Sequence, residues 1–255
     1  MITPDATGGK GPYRAVFPQI RTVGTDGLLV SFAEDLSEPA NHAALAFRAA
    51  IEAADLPGLL ETSASLVSAY LRFDIGVTDH GAMWTMLEAL LSSQDWTVAP
   101  LPGGRKLWRI PTVYGTDLAP QLEEAAAVAG LTPEEAIASI SNARVRVQTI
   151  GFAPGMPYLG ELPPDWAIPR QTELTGQVPA GGLCVAIRQL VLFPVDTPTG
   201  WRQIGQTAFP LFRPDEAEPF SLRPGDEAQF VPVPAAELAA MRNAPNGAAT
   251  FEVLP

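Results

Sequence analysis

Residues 149–163 read T-I-G-F-A-P-G-M-P-Y-L-G-E-L-P, residues 178–187 V-P-A-G-G-L-C-V-A-I, and residues 192–206 L-F-P-V-D-T-P-T-G-W-R-Q-I-G-Q. Together they form a stretch dense in Gly, Pro and aromatic residues and almost free of charge. Gly reaches backbone angles other residues avoid, and Pro pre-sets turns, so such a stretch folds back on itself in tight corners. The apolar runs at 183–187 and 190–193 between those corners read as buried strands. Loops of this composition on a rigid β scaffold either build a small-molecule site or are only the corners of a barrel.

The order of words here, G-F-A-P-G-M-P-Y-L-G-E-L, then P-R at 169–170, V-P-A-G, and P-T-G-W-R-Q-I-G, resembles the family of 5-oxoprolinase B subunits. That family is also described as allophanate hydrolase subunit 1, carries a carboxyltransferase domain and includes a Kip-type kinase inhibitor. Its usual pattern is G-F-x-P-G-F-x-Y-L-G-G-L, P-R, V-P-A-G-S-V, G-G-x-Q-T-G-I-Y-P and S-P-G-G-W-x-x-I-G-R-T. Looser similarity runs from about residue 17 to 233. The chain departs from the pattern at Met156 (usually Phe), Glu161 (usually Gly), 186–193 (where only Gln189 is kept), 197–200 and 206–207.

The resemblance implies one component of an ATP-dependent 5-oxoprolinase, working with partners like that enzyme's A and C subunits to open 5-oxoproline to glutamate. It implies ATP with Mg as the nucleotide and no bound prosthetic group. It places Gly155 and Gly181 where backbone approaches a ligand, Arg170 as the charge, and Tyr158, Gln189 and Trp201 along the pocket. Two alternatives stand beside it: a carboxyltransferase-like subunit in urea or allophanate metabolism, and a non-catalytic inhibitor of a sensor histidine kinase. For the inhibitor, Arg188, Leu190 and Leu192 exposed together would make a contact surface; buried in alternation they would make a plain strand.

The residues themselves narrow the chemistry. The 255 residues carry 28 acidic and 16 basic side chains, a net charge of −12, which argues against a nucleic-acid surface. A single cysteine, Cys184, excludes an intrachain disulfide and, inside an apolar run, reads as a buried thiol. His42 and His80, the two histidines, sit near predicted helix starts and outside any metal-ligand spacing, so no metal site is expected. No P-loop or G-x-S-x-G elbow occurs, and the glycines at 8–11 lack the strand and helix a phosphate cradle needs. No run is long enough to span a membrane and no apolar leader is visible, so the expected location is the cytoplasm. Asp196 and Arg202 read as surface ion-pairing residues, whereas Arg170 beside an aromatic wall could grip a carboxylate or phosphate bidentately. No acid, base or nucleophile is spelled out, which suits a protein that completes its site with another chain.

Four segments are expected. Residues 1–14 are a tail. Residues 15–102 form an α+β ferredoxin-like domain with β-α-β-β-α-β order: strands at 28–32, 59–61, 69–74 and 96–101, a helix capped by Ser37, and a second from about 79. The linker P-G-G-R-K at 102–106 opens a mostly-β domain over 103–240, cyclophilin-like by the family resemblance, with helices at 121–129 and from Thr132, whose T-P-E-E is a capping box. Residues 241–255 are a second tail.

Overall fold

The computed structural model describes residues 16–255, so the expected tail over 1–14 lies outside the described residues. The first domain opens with a hairpin of β1 (Gln19–Val23) and β2 (Gly27–Ser31), followed by α1 (Glu38–Ala53), the hairpin β3 (Leu59–Ser65) and β4 (Ser68–Phe73), and α2 (His80–Leu91). Both helix starts are capped as their sequences demand. Ser37 Oγ accepts from Ala40 N at 3.4 Å, and Asp79 Oδ1 accepts from Ala82 N at 2.8 Å. β4 alternates in burial, and its Ala69, Leu71 and Phe73 meet Phe47 and Ile51 of α1 and Met83 and Leu87 of α2.

The sheet order is β1-β2-β4-β3, antiparallel throughout. β2 and β3 are therefore parallel, joined through α1, with β4 between them: one split βαβ unit. The expected β-α-β-β-α-β order is not what forms. The edge beside β2 is filled by β1, upstream of the first helix, and residues 96–101 make no strand. Asp95 Oδ1 accepts from Thr97 N at 2.9 Å and turns the chain, while Trp96 is buried edge-on against Phe47 and donates from its indole to Leu91 O at 3.0 Å. Trp96 supplies core to the helices instead of a rung to the sheet.

The second domain is a closed barrel. Its elements are β5 (Lys106–Tyr114), α3 (Leu122–Ala129), α4 (Pro133–Asn142), β6 (Val145–Ile150), β7 (Pro157–Gly160), β8 (Thr175–Val178), β9 (Gly182–Ala186), β10 (Gln189–Leu192), β11 (Thr197–Thr199), β12 (Arg202–Thr207), β13 (Glu227–Pro232), α5 (Leu238–Met241) and β14 (Thr250–Val253). Strands run in the order β12-β9-β10-β7-β6-β13-β5, and β5 pairs back to β12 to close a ring of seven. β8 and β11 form a separate two-stranded ribbon. The interior is filled by Ile110, Val147, Leu159, Leu183, Leu190, Leu192, Ile204 and Phe230, with Ala125, Ile140 and the fully buried Trp166 closing one side. Each such large apolar side chain contributes about 1.5–3 kcal/mol by leaving water. Thr132 caps α4 through the expected box, reciprocated by Glu135. Glu38 pairs with Arg146 and Asn41 donates to Gln148 O at 3.0 Å, which ties the first helix to the barrel.

The expected tail at 241–255 is not one. β14 pairs antiparallel with β5, from Thr250 opposite Arg109 to Val253 opposite Lys106. The Phe251 ring packs on Trp108 at 4.7 Å, and Lys106 Nζ lies 4.7 Å from its centroid. Its side chains are exposed and unpatterned, so the strand exists through its backbone ladder, for which periodicity carries no signal.

Candidate functional site

The three segments of the opening stretch converge on one rim of the barrel. β7 delivers Tyr158, and Met156 precedes it at the end of a loop whose Phe152 is 78% exposed with φ +71°. β10 ends at Leu192 and passes Phe193 inward. The ribbon strand β11 leads through Gly200 to Trp201 at the start of β12, and Arg170 lies on the loop entering β8. A cavity of about 280 Å³ forms among them, lined by Met156, Tyr158, Arg170, Gln171, Phe193, Thr197, Thr199, Gly200 and Trp201, with Phe152 and Leu174 at its lip.

The Arg170 guanidinium carbon lies 5.0 Å from the Trp201 ring centroid, over the indole face. Tyr158 meets the same indole edge-on at 6.2 Å and 68°. No carboxylate pairs with Arg170 among the described residues, so its donors remain open to a ligand while the indole face holds the cation. Beneath lie Met156, Phe193 and Trp201, backed by Val178, Cys184, Ala186 and Val191, an apolar floor. Cys184 is fully buried in that floor, and burial pushes its thiol well above the ordinary cysteine range, so it is an inert packing group. The lining holds no carboxylate, histidine or thiol. The site can bind and orient an anion with an apolar body, and the Tyr158 phenol and the Thr197 and Thr199 hydroxyls lie on its wall.

Of the expected site residues, Tyr158, Arg170 and Trp201 come together. Gly155, Gly181 and Gln189 do not join them. Gly155 (φ +75°) and Gly181 (φ +80°) are corners: a Cβ on Gly155 would stand 2.7 Å from Leu211 O, and one on Gly181 2.3 Å from Thr207 O. Backbone of this same chain fills the Cβ side of both glycines, and neither lines the Arg170 cavity. Gln189 is buried within the barrel wall, where its Nε2 donates to Gln148 Oε1 at 2.7 Å.

Arg202 also departs from expectation. It is only 8% exposed, donating from Nη1 to Pro169 O and from Nε to Glu124 Oε1, both at 2.8 Å. Asp196 accepts from Ala180 N at 2.9 Å and secures the V-P-A-G corner. Gln121, Glu124 and Gln171, which fix the arginine loop, have no motif to announce them. Their partners lie 30 to 82 positions away, and only the barrel closure brings them near.

The altered turn at 186–193 is a tight hairpin with Ile187 (φ +45°) and Arg188 (φ +63°) at its tip. Leu190 and Leu192 are fully buried in the barrel core, so the exposed Arg188-Leu190-Leu192 surface does not exist and the segment is a plain strand. Among the described residues, no helix is long and apolar enough to cross a membrane.

Comparison with known proteins agrees with this architecture. The chain is 33% identical over 220 residues to the 5-oxoprolinase B subunit of Bacillus subtilis (strain 168), covering 84% of this chain and 92% of that protein. The crystal structure of TTHA0988 superposes with a TM-score of 0.67 at 31% identity; 85% of this chain is covered, yet it spans only 40% of that longer chain. The urea amidolyase of K. lactis shares the fold at a TM-score of 0.66 and 15% identity, over 95% of this chain and 17% of that one. Residues 18–222, which hold the first domain and all of the lining side chains, match one described family, and on that match the chain belongs to the carboxyltransferase domain, subdomain C and D, family.

Proposed function

We propose that this chain is the substrate-holding component of a 5-oxoprolinase-type complex, gripping the carboxylate of a small cyclic amide in the Arg170–Trp201 pocket. The observation that carries the reading is the unpaired guanidinium laid on an indole face above an apolar floor. A ring amide acid offers a carboxylate for Arg170 and ring methylenes for Met156 and Phe193. Urea and allophanate offer polar groups alone, which that floor would leave without partners. The name of the Bacillus subtilis relative, the B subunit of a 5-oxoprolinase, supports the same choice.

Opening a lactam breaks the C–N bond of a poor electrophile. Phosphorylation of the amide oxygen by ATP would activate the carbon, water would add there, and the ring nitrogen would leave as the free amine. Hydrolysis of the resulting acyl phosphate would release phosphate. The pocket does not fit a magnesium nucleotide, since its lining offers one guanidinium and no carboxylate for the metal. In this reading partners of the A and C types hold the nucleotide, and this chain's part is to bind and orient.

The test is ATP hydrolysis dependent on 5-oxoproline, measured with the candidate partner proteins added singly and together. Turnover only in the full mixture, lost in Arg170→Ala with folding intact, is the expected result. Dependence on urea in place of 5-oxoproline would overturn the lactam reading in favour of the carboxyltransferase alternative.

A further inference from the structure

The two tripeptides 169–171 and 200–202 lie side by side and are cross-linked at both ends. On one side Arg202 Nη1 donates to Pro169 O at 2.8 Å; on the other Gln171 N donates to Gly200 O at 2.7 Å. The central residues of the two tripeptides are Arg170 and Trp201. The Pro169 carbonyl belongs to the peptide plane before Arg170, and the Gln171 N–H to the plane after it. With both planes held, the direction of the Arg170 Cα–Cβ bond is set. It delivers the guanidinium to the indole, although Arg170 is an exposed loop residue whose long side chain has much freedom to lose.

The clip is itself anchored to α3. Arg202 Nε donates to Glu124 Oε1 at 2.8 Å, so two of its guanidinium nitrogens, Nε and Nη1, are engaged by one carboxylate and one carbonyl. Gln121, at the start of the same helix, donates to Gln171 Oε1 at 2.9 Å and accepts from Gln203 N at 2.9 Å. Gly200 is bare because a Cβ there would come 3.0 Å from Gln171 O.

We infer that Arg202 is a positioning residue for Arg170: through Pro169 O and Glu124 it holds the arginine loop so that the guanidinium stays on the Trp201 face with its outer N–H groups free for the ligand's carboxylate. The inference rests on the carboxylate reading of the pocket given above. Arg202 is not among the side chains that line the cavity.

Two readouts on the full-length chain test it. The first is the Arg170 Nε–H resonance, identified by its absence in Arg170→Gln. In the wild type it lies upfield because the indole shields it, and it moves toward the free-arginine position in Arg202→Gln and in Glu124→Gln. The second is affinity for 5-oxoproline against 2-pyrrolidinone, the same ring without the carboxylate. Both variants weaken 5-oxoproline by roughly tenfold, the scale of a misplaced charged contact, and leave 2-pyrrolidinone unchanged. An unmoved resonance in folded Arg202→Gln overturns the positioning role, as does equal weakening of both ligands. If the wild type binds no 5-oxoproline, the functional reading fails, and the resonance alone decides the positioning. Should Arg202→Gln not fold, Glu124→Gln, at a half-exposed side chain, carries the test.

Discussion

Arg188 Nη2 lies 3.1 Å from Glu161 Oε2, and Arg188 Nε donates to Leu162 O at 3.0 Å. Glu161 stands where the family pattern has glycine, and Ile187, beside Arg188, stands where it has another. The two departures thus meet at one place: the hairpin tip between β9 and β10 leans on the loop that follows β7. Both charged side chains are about one-third exposed, so the pair holds the tip in place more than it stabilises the fold.

At that tip Ile187 is a β-branched residue in the left-handed region, where side chains cost about 1–2 kcal/mol. Glycine relieves this and returns roughly 0.5–1 kcal/mol of it as chain entropy. Ile187→Gly is therefore expected to raise stability by about 0.5–1 kcal/mol, or roughly 1–4 °C in melting temperature. A thermal melt checks it; a lowered melting temperature would mean that the Ile187 side chain packs more productively than its 47% exposure implies.

The corner glycines give the opposite sign. Gly181→Ala places a methyl against Thr207 O and Gly155→Ala against Leu211 O, both at left-handed φ. Each is expected to cost roughly 2–4 kcal/mol in denaturant unfolding. Since neither lines the Arg170 cavity, ligand affinity of the folded fraction stays at the wild-type value, whereas a backbone donor to the ligand would lose it.

Gln189→Leu removes the donor to Gln148 Oε1 and leaves that oxygen buried, at an expected cost of about 1–3 kcal/mol. Replacing both residues by Leu should cost less than the sum of the two single changes, because the orphaned partner goes with it. A double-mutant cycle in urea measures this. Strict additivity would show that the two amides act independently.

Asp226 is buried, and burial pushes its carboxyl above the ordinary value of 3.8, outweighing the hydrogen bonds it accepts from Lys106 N and Arg223 N. A raised folded value means that the protonated form suits the native state better. Its contribution is full below 3.8 and is lost as pH rises through the higher folded value. The wild-type melting temperature relative to Asp226→Asn should therefore fall as pH climbs through that window and then level off. A rise over the same range would mean that the two N–H donors win over desolvation.

Much of the fold is legible without the structure. Ser37, Asp79 and Thr132 announce helix starts, and the Pro-Gly-Gly linker announces β5, because caps and turns are local chemistry. β1 escapes such a reading because its Q-I-R-T-V sits on an exposed edge and shows no buried face. Trp96 misleads because a buried aromatic near the end of a domain fits a strand or a helix support equally well. In the site, Tyr158, Arg170 and Trp201 are legible from their motif words. Gly155 and Gly181 belong to the same words but serve the corners, since a glycine required by a turn and one required by a ligand leave the same letter. Arg202 reads as a surface group because its partners, Glu124 and Pro169, come from distant segments.

The β14 pairing has a consequence for how the molecule keeps to itself. β5 uses one edge twice, for β12 at residues 112–114 and for β14 at residues 106–109. Without the last strand, the lower half of that edge would present unpaired N–H and C=O groups next to Trp108, a template for a second molecule's strand. β14, with solvent-facing Glu252 and only four residues, acts as a sacrificial border: it accepts the exposed position so that the barrel wall behind it never becomes one. A protein trimmed at residue 249 would then be distinguished from the full chain less by its melting temperature than by its tendency to self-associate on concentration.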